Sequence, residues 1–350
     1  MKVYRHYNSG MSLLINKNYK MKNLIFYLSV LLLDMTATVA AQVPADTLTQ
    51  KIRSYTARNF SEFRTFNMSM ETVQDHDYAW KQNGQRMENG KIHNDRVFKF
   101  SVTRPVLLIK NFSIYANVQF DSYHFDATNK ETDNVSSVFS KNSGNYSYFI
   151  GSISGTYNTK IANKPLFLTV SGSEDGGNIG FEKAQGTVSA IMMLKRSATT
   201  NFSVGLYGMT LYQNIPVLPI IVYWHQFNPH LNIDVTLPSS AYLRYQFCNN
   251  QRISIGTTLD NEHFYLKPDL ENLPKVCYYS NTIIKPEIVY EYIINKHFYL
   301  TAHAGGVSVI KGGLYGTNRK GAGVEPYIKY SHPMTTFFNI GISYNFSQKK

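Results

Sequence analysis

Most of the chain alternates apolar and polar residues with a period of two. Between Phe112 and Phe120 the apolar residues occupy the even positions, and Ser, Tyr, Asn and Gln occupy the odd ones. The pattern recurs in segments 98–102, 149–157, 232–237, 242–247 and 338–346. Period two places the two sets on opposite faces of a β-strand. Beyond residue 41 the best helical pattern is only Leu48, Ile52 and Tyr55, so the sequence predicts an all-β protein.

Alternation fits either a soluble sandwich with an apolar core or a membrane barrel with an apolar exterior. Charged residues on the polar faces favour the barrel, because a wet lumen accommodates them. The candidate lumen-lining residues are Lys99, Asp234, Arg244, Glu287, Glu291 and His303. We expect Lys99 or Arg244 to offset the charge of Glu287 and Glu291.

Aromatic residues support the same reading. Tyr and Phe often begin or end the apolar faces, as in the aromatic girdles at the two lipid–water boundaries of a barrel. Aromatic residues make up 14% of the chain, which suits that placement. The connections also differ in length: 249–251 and 295–296 read as tight turns, whereas Gln74–His93 and Asp126–Asn145 read as long polar loops. We therefore expect an antiparallel transmembrane barrel with short periplasmic turns and longer outer loops.

The strand number is less clear from the sequence. Strands are predicted to start near residues 66, 97, 112, 146, 166, 186, 202, 217, 231, 241, 252, 282, 298, 322 and 335. That number is odd, whereas single-chain bacterial barrels close with an even one. Four prolines within 215–247 suggest that two segments there form one bent strand. We expect about 12 strands, within 10–14, in one barrel domain over 62–350.

The N-terminal region has a different composition. Lys22 precedes an apolar run from Leu24 to Leu33, and small residues lead to Ala41–Gln42. This predicts an upstream extension over 1–20, a signal peptide over 21–41 cleaved between Ala41 and Gln42, and a periplasmic or lumen segment over 42–61. Cleavage would lower the net charge from +12 to +8. An exported chain with scattered Lys and Arg is not expected to bind nucleic acid.

The segment Phe337–Phe346 resembles the closing strand of Gram-negative outer-membrane proteins. The resemblance implies that the barrel-assembly machinery recognises this strand, with Tyr344 and Phe346 as the C-terminal signal. Segments 216–223 and 237–240, with Tyr245, are similar to an uncharacterised family of Bacteroidota outer-membrane barrels. This second resemblance implies an outer-membrane location among membrane lipids and carries no catalytic residues.

The sequence contains only weak patterns for a metal site or a catalytic site. Asp75, His76, Asp77 and His93 could supply metal ligands, and 174–178 could fold around Ca²⁺, but polar loops explain both equally well. Four histidines, at 225, 263, 297 and 303, have no nucleophile at a defined spacing. We expect no catalytic, cofactor or metal site. Cys248 and Cys277 are expected to be a free, buried pair more readily than a disulfide.

Three functions remain open on this basis. The polar inner faces favour a narrow pore or a lumen-binding protein for small solutes. The long loops would suit a surface binding or scaffolding barrel with a closed lumen. An outer-membrane enzyme that modifies lipid or sugar is the weakest of the three, and we expect no enzyme.

Overall fold

The structure, a computed structural model, describes residues 64–345 except 133, 135, 140–143, 210–216, 296 and 318–324. Its elements are sixteen β-strands: β1 Phe66–Val73, β2 His76–Gln82, β3 Gln85–Leu108, β4 Phe112–Asn129, β5 Asn145–Ile161, β6 Lys164–Gly177, β7 Gly180–Arg196, β8 Thr200–Met209, β9 Val217–Gln226, β10 Leu231–Leu237, β11 Ser240–Cys248, β12 Gln251–Leu266, β13 Cys277–Ile293, β14 Phe298–Gly316, β15 Ile328–Ser331 and β16 Thr335–Tyr344. The signal peptide, its cleavage site at Ala41–Gln42, segment 42–61 and Phe346 lie outside the described residues.

The strands form a closed antiparallel ring. β3 to β14 pair in sequence order, β14 pairs with β16, β16 with β1, and β1 with β3, which closes a ring of 14 strands. The all-β, antiparallel barrel expected from the alternation is thus confirmed. Fourteen is even and lies within the expected range, although the preferred number of 12 was too low.

Two short strands, β2 and β15, lie outside the ring of 14. β2 pairs with β3 in the same register as β1, and β15 pairs with β2 in the register that β16 keeps with β1. β2 and β15 therefore continue β1 and β16 beyond short interruptions at 74–75 and 332–334. This extension makes the wall tall on the side of β2, β3, β14 and β15.

The two ends of the barrel differ, as the sequence predicts. At the short-turn end, where β1 begins and β16 ends, the connections have two to four residues. At the long-loop end, four connections have seven to fifteen residues: 130–144, 210–216, 267–276 and 317–327. The expected loop over Gln74–His93 is wrong, because β2 and β3 form a hairpin there. Asn83 and Gly84 turn it with φ of 50° and 82°, the conformation of a tight hairpin turn.

The described part of the proline-rich stretch, residues 217–247, does not form a bent strand. It folds into β9, β10 and β11, with Pro229 and Pro238 in the connecting turns. Pro219 lies within β9, opposite Leu206 of β8, but beyond the last residue of β9 that pairs with β10. Each of these three prolines thus avoids a position where two neighbouring strands would need its missing N–H. The predicted starts at 217, 231 and 241 thus belong to three separate strands.

The exterior carries a continuous set of exposed apolar side chains, which we call the apolar belt. Members on different strands include Ile153 (63% exposed), Val170 (62%), Ile255 (59%), Ile310 (59%) and Ile340 (53%). A water-facing surface rarely exposes such a large apolar patch, whereas the lipid-facing wall of a barrel requires one. Within the described part of the chain, no helix is long and apolar enough to cross a membrane.

Candidate functional site in the barrel lumen

Ion pairs between distant strands mark the lumen. Lys99 of β3 contacts Asp260 of β12 at 2.7 Å, although these strands are not neighbours in the ring. Lys285 of β13 lies 2.7 Å from Glu71 of β1 and 3.2 Å from the same Asp260. Side chains of strands so far apart can meet only inside the barrel. The alternation therefore places these charges in the interior and the apolar belt outside.

A second charged cluster fills the lumen near the short-turn end. Arg64 is fully buried and donates to Glu291 Oε1 at 2.6 Å and to Ser343 Oγ at 2.8 Å. Arg252 donates two hydrogen bonds to Glu291. Arg244 lies 3.6 Å from Glu291 and 3.3 Å from Asp234. Glu291 thus contacts all three buried guanidinium groups, and Asp234 contacts Arg244 alone, which makes Glu291 the centre of this cluster.

Between the two clusters lies a hydrogen-bonded group around Glu287. His303 Nδ1 contacts Glu287 Oε2 at 2.9 Å, and the Tyr242 hydroxyl donates to Glu287 Oε1. Thr258 donates to the same oxygen at 3.1 Å. Both carboxylate oxygens are thus satisfied by neutral or titratable donors rather than by a permanent cation.

Toward the long-loop end the lumen is filled by an aromatic core. Its buried members from the wall include Tyr78, Trp80, Tyr123, Phe125, Tyr146, Phe264, Tyr279 and Tyr330. Loop 130–144 contributes Val138 and Phe139, which are 0% and 1% exposed. Glu88 accepts hydrogen bonds from the Ser137 amide at 3.1 Å and from the Tyr78 hydroxyl at 2.7 Å. Part of this loop is therefore inside the barrel, packed against aromatic rings.

The outer half of β12 approaches the opposite wall while it stays paired with β13. Beyond Thr258 it no longer pairs with β11, and Tyr265 donates to Asp175 of β6 at 2.7 Å. Tyr148 of β5 and Gln185 of β7 donate to the same carboxylate at 2.6 and 2.7 Å. These contacts divide the lumen. Most of the charges and rings described above lie on the side from β10 through β14 and β1 to β4, which we call the packed side.

The other side of the lumen has a neutral inner surface of hydroxyl groups. The hydroxyl wall consists of Ser152, Ser154 and Thr156 on β5, Thr169, Ser171 and Ser173 on β6, and Thr187 and Ser189 on β7. Cross-strand pairing places them side by side, for example Ser154 opposite Ser171 and Ser171 opposite Thr187. All eight are partly exposed although they face inward. The lumen therefore leaves open space in front of this wall.

The sequence identified residues on the packed side but not the hydroxyl wall. Asp234, Arg244 and Glu291 meet in one cluster; Glu287 and His303 meet in a second group, and Lys99 contacts Asp260 in a third. Arg244 does pair with Glu291, but Lys99 pairs with neither glutamate. The hydroxyl wall was visible only as the polar half of the alternation in segments 149–157 and 166–173. Its neutral side chains lack the charge that made the packed side stand out.

The weaker chemical candidates separate in space. Asp75 and His93 do contact, at 2.5 Å, but His76 is buried in the interior and bonds to Gln74 O instead. Among the described residues no three His, Cys, Asp or Glu side chains are arranged to hold a metal ion. Residues 174–177 lie within β6 and not in a loop, and three donors already satisfy Asp175. This arrangement offers Asp175 no role as a calcium ligand.

The two cysteines are both free and lie at opposite ends of the barrel. Cys248 is exposed next to the turn at 249–250, and Cys277 is buried at the long-loop end. The 16 residues of β12 separate them, so the expected free state holds but a buried pair does not form. Burial raises the pKa of the Cys277 thiol to about 11.

A closed antiparallel ring with an apolar exterior and a polar, charged interior defines an outer-membrane β-barrel. No protein-family model and no curated protein sequence matches the chain. Solved structures with a similar course of the chain include a Pseudomonas aeruginosa FadL homologue, at 8% identity over 81% of this chain and 90% of that one, with a TM-score of 0.40. An outer-membrane channel from Pseudomonas putida F1 has 9% identity over 80% and 95%, with a TM-score of 0.39. The translocator domain of NalP from Neisseria meningitidis has 11% identity over 88% and 100%, with a TM-score of 0.31. Likeness this low transfers no function, and the class follows from the geometry of the barrel itself.

Proposed function

We propose that this barrel is a narrow outer-membrane pore for small, uncharged solutes rich in hydroxyl groups. The observation that carries the proposal is the hydroxyl wall, which faces open space inside the ring. Hydroxyl groups both donate and accept hydrogen bonds, so they can replace the water around a sugar-like solute as it passes. A ring of 14 strands is also wider than the eight-stranded barrels whose lumen is filled by side chains alone.

The charges support passage of neutral solutes. Lys99, Lys285, Arg252 and Arg64 all contact carboxylates on the packed side, so their fields are offset. The hydroxyl wall itself carries no charge, whereas barrels selective for ions line the pore with charged side chains. Tyr207 lies opposite Ser189, and Trp224 lies opposite Asn201, on the same inner face. Aromatic rings of this kind offer a flat apolar surface for the C–H face of a sugar ring.

Conductance and solute flux test the proposal together. The purified chain in a planar bilayer should give small single-channel steps, with a reversal potential near zero in a KCl gradient. Proteoliposomes should swell faster in neutral monosaccharides than in sugar acids of the same size. Absence of both current and swelling in a correctly folded, heat-modifiable preparation would reject the pore.

The aromatic core favours one alternative. Because Phe139 and Val138 fill the long-loop end of the packed side, the barrel could be a closed scaffold that binds partners through its outer loops. Such a barrel would give no current and no swelling, yet loop-directed protease would abolish partner binding on intact cells.

The same proposal includes export of the chain and its insertion into the outer membrane. We expect the exported chain to begin at Gln42 after cleavage behind Ala41, and the last strand to engage the assembly machinery through Tyr344 and Phe346. N-terminal sequencing of the membrane-inserted protein tests the first. Replacing Phe346 with Ala and measuring the fraction that becomes heat-modifiable tests the second.

A further inference from the structure

Three cations stand side by side on the outer face of the barrel at the long-loop end. Lys329 of β15 lies directly opposite Lys81 of β2, and Lys81 lies opposite Arg86 of β3. Their sequence neighbours Ile328 and Trp80 are buried inside. Because strand residues alternate between faces, Lys81 and Lys329 point outward, and Arg86 shares the face of its partner. We call Lys329, Lys81 and Arg86 the cationic row.

Carboxylates of the protein offset only part of the positive charge of the cationic row. Like charges directly opposite each other on neighbouring strands are unfavourable. Glu325 contacts Lys329 at 2.7 Å, and that ammonium group lowers the pKa of Glu325. In the part of the chain that the structure describes, the side chains of Lys81 and Arg86 contact no carboxylate. The row therefore carries an excess of positive charge, which an anion from outside the chain would offset.

A polar groove of about 440 Å³ adjoins the row. Its floor is formed by small residues of β2 and β3, Ala79 and Gly90, and its polar edges include Asn89 and Ser331. Arg86 and Lys130 flank it, so positive charge borders a space that also offers amide and hydroxyl groups. Asp77 also lines the groove and lies opposite Lys91 on the neighbouring strand.

The position of the cationic row relative to the apolar belt indicates the kind of partner that it meets. On the same wall the apolar belt runs through Met70 and Phe338 and reaches Met334, which is 60% exposed. Lys81 lies four residues beyond Asp77 on β2, about 13 Å farther along the strand at ~3.3 Å per residue. The groove thus begins near the end of the belt at Asp77, and the row faces outward farther along, on the side where the lipid headgroups lie.

We propose that the cationic row and its groove bind the phosphorylated sugar headgroup of an outer-leaflet glycolipid. Arg and Lys are the side chains that bind phosphate, with the Arg guanidinium able to donate two parallel hydrogen bonds. The groove accommodates the sugar through Asn89 and Ser331. The proposal rests on the outer-membrane placement in the proposed function, but not on solute passage through the lumen.

The test uses the full barrel in nanodiscs of phosphatidylcholine with lipid A as the probe. Native mass spectrometry should show lipid A retained by the wild type and by the double control variant Lys110→Gln and Lys195→Gln, which removes two exposed charges at the short-turn end. Lys81→Gln with Arg86→Gln should weaken retention about tenfold or more, since each basic side chain at a membrane surface contributes substantially to anionic lipid binding. Dephosphorylated lipid A should bind the wild type no better than intact lipid A binds the Lys81 and Arg86 double variant.

The outcomes separate the alternatives. Equal retention of lipid A by the Lys81 and Arg86 variant and the wild type would overturn the site. Displacement of lipid A by millimolar inorganic phosphate would overturn the glycolipid as its ligand, leaving a simple phosphate site. Current and swelling measured on the same variant should match the wild type, because the row lies outside the lumen. Absence of current and swelling would therefore not contradict lipid A binding, and absence of lipid A binding would not contradict the pore.

Discussion

Tyr265 of β12 donates a hydrogen bond to Asp175 of β6 at 2.7 Å, across a lumen in which these strands are not neighbours. The same carboxylate accepts from Tyr148 and Gln185. This contact lies between the packed side and the hydroxyl wall. The outer half of β12 has no pairing with β11 to hold it there.

Asp175→Ala should destabilise the barrel by at least about 3 kcal/mol, because three donors lose their acceptor and two of them are buried tyrosine hydroxyls. Tyr265→Phe removes one of these bonds and should cost about 1.5–3 kcal/mol. The measurement is urea unfolding in detergent, followed by the heat-modifiable gel shift. Glu174→Ala is the matched control, since Glu174 is exposed on the outer face of the same strand. A Glu174 variant as unstable as the Asp175 variant would contradict the assigned role.

Glu291→Gln should be more damaging than Glu287→Gln. Glu291 compensates Arg64, Arg244 and Arg252, and breaking a buried ion pair by removing one partner costs about 3–5 kcal/mol. Glu287 bonds to Tyr242, Thr258 and His303, of which only the histidine can carry charge, and its loss should cost less. Unfolding midpoints of the two variants give the comparison, and the reverse order would show that Glu291 is not the central counter-charge.

A bulky side chain on the hydroxyl wall should narrow the pore. Ser171→Trp is expected to slow sugar-dependent liposome swelling severalfold and to lower the single-channel conductance. Val170→Trp is the control, since the adjacent side chain is 62% exposed to the outside. If both variants conduct like the wild type, the passage does not run along β6.

Thiol labelling should report the orientation of the barrel. A membrane-impermeant maleimide should label Cys248 in purified protein but not in intact cells, because that residue lies at the short-turn end. Cys277 should stay unlabelled in the folded protein. The thiolate is the reactive form, and a pKa of about 11 leaves little thiolate at pH 8. Cys248→Ser should abolish labelling altogether, and labelling of Cys248 in intact cells would place the short turns outside.

The alternation predicted the wall well because it is a local property. Strand starts at 66, 112, 217, 231, 298 and 335 match the structure, since each reflects which side faces lipid. The β2–β3 hairpin was missed because its outer face is strongly polar, although Tyr78, Trp80 and the Asn83–Gly84 turn carried the signal. The partners across the lumen could not be predicted. Period two tells which face a side chain occupies, but not which distant strand lies opposite, as with Lys99 and Asp260.

The ladder between β1 and β16 has a consequence for how the barrel is made. Its eight residue pairs join segments from the two ends of the barrel domain, and Arg64 bonds to Ser343 across 279 positions of sequence. Closing so long a loop is entropically costly, and the contacts between β1 and β16 that offset this cost form only when the final strand is in place. Until β16 pairs with it during membrane insertion, the edge of β1 that faces away from β3 is unpaired and open to pairing with other chains. Closure of this barrel therefore competes with aggregation, and closure requires the last strand of the ring, β16.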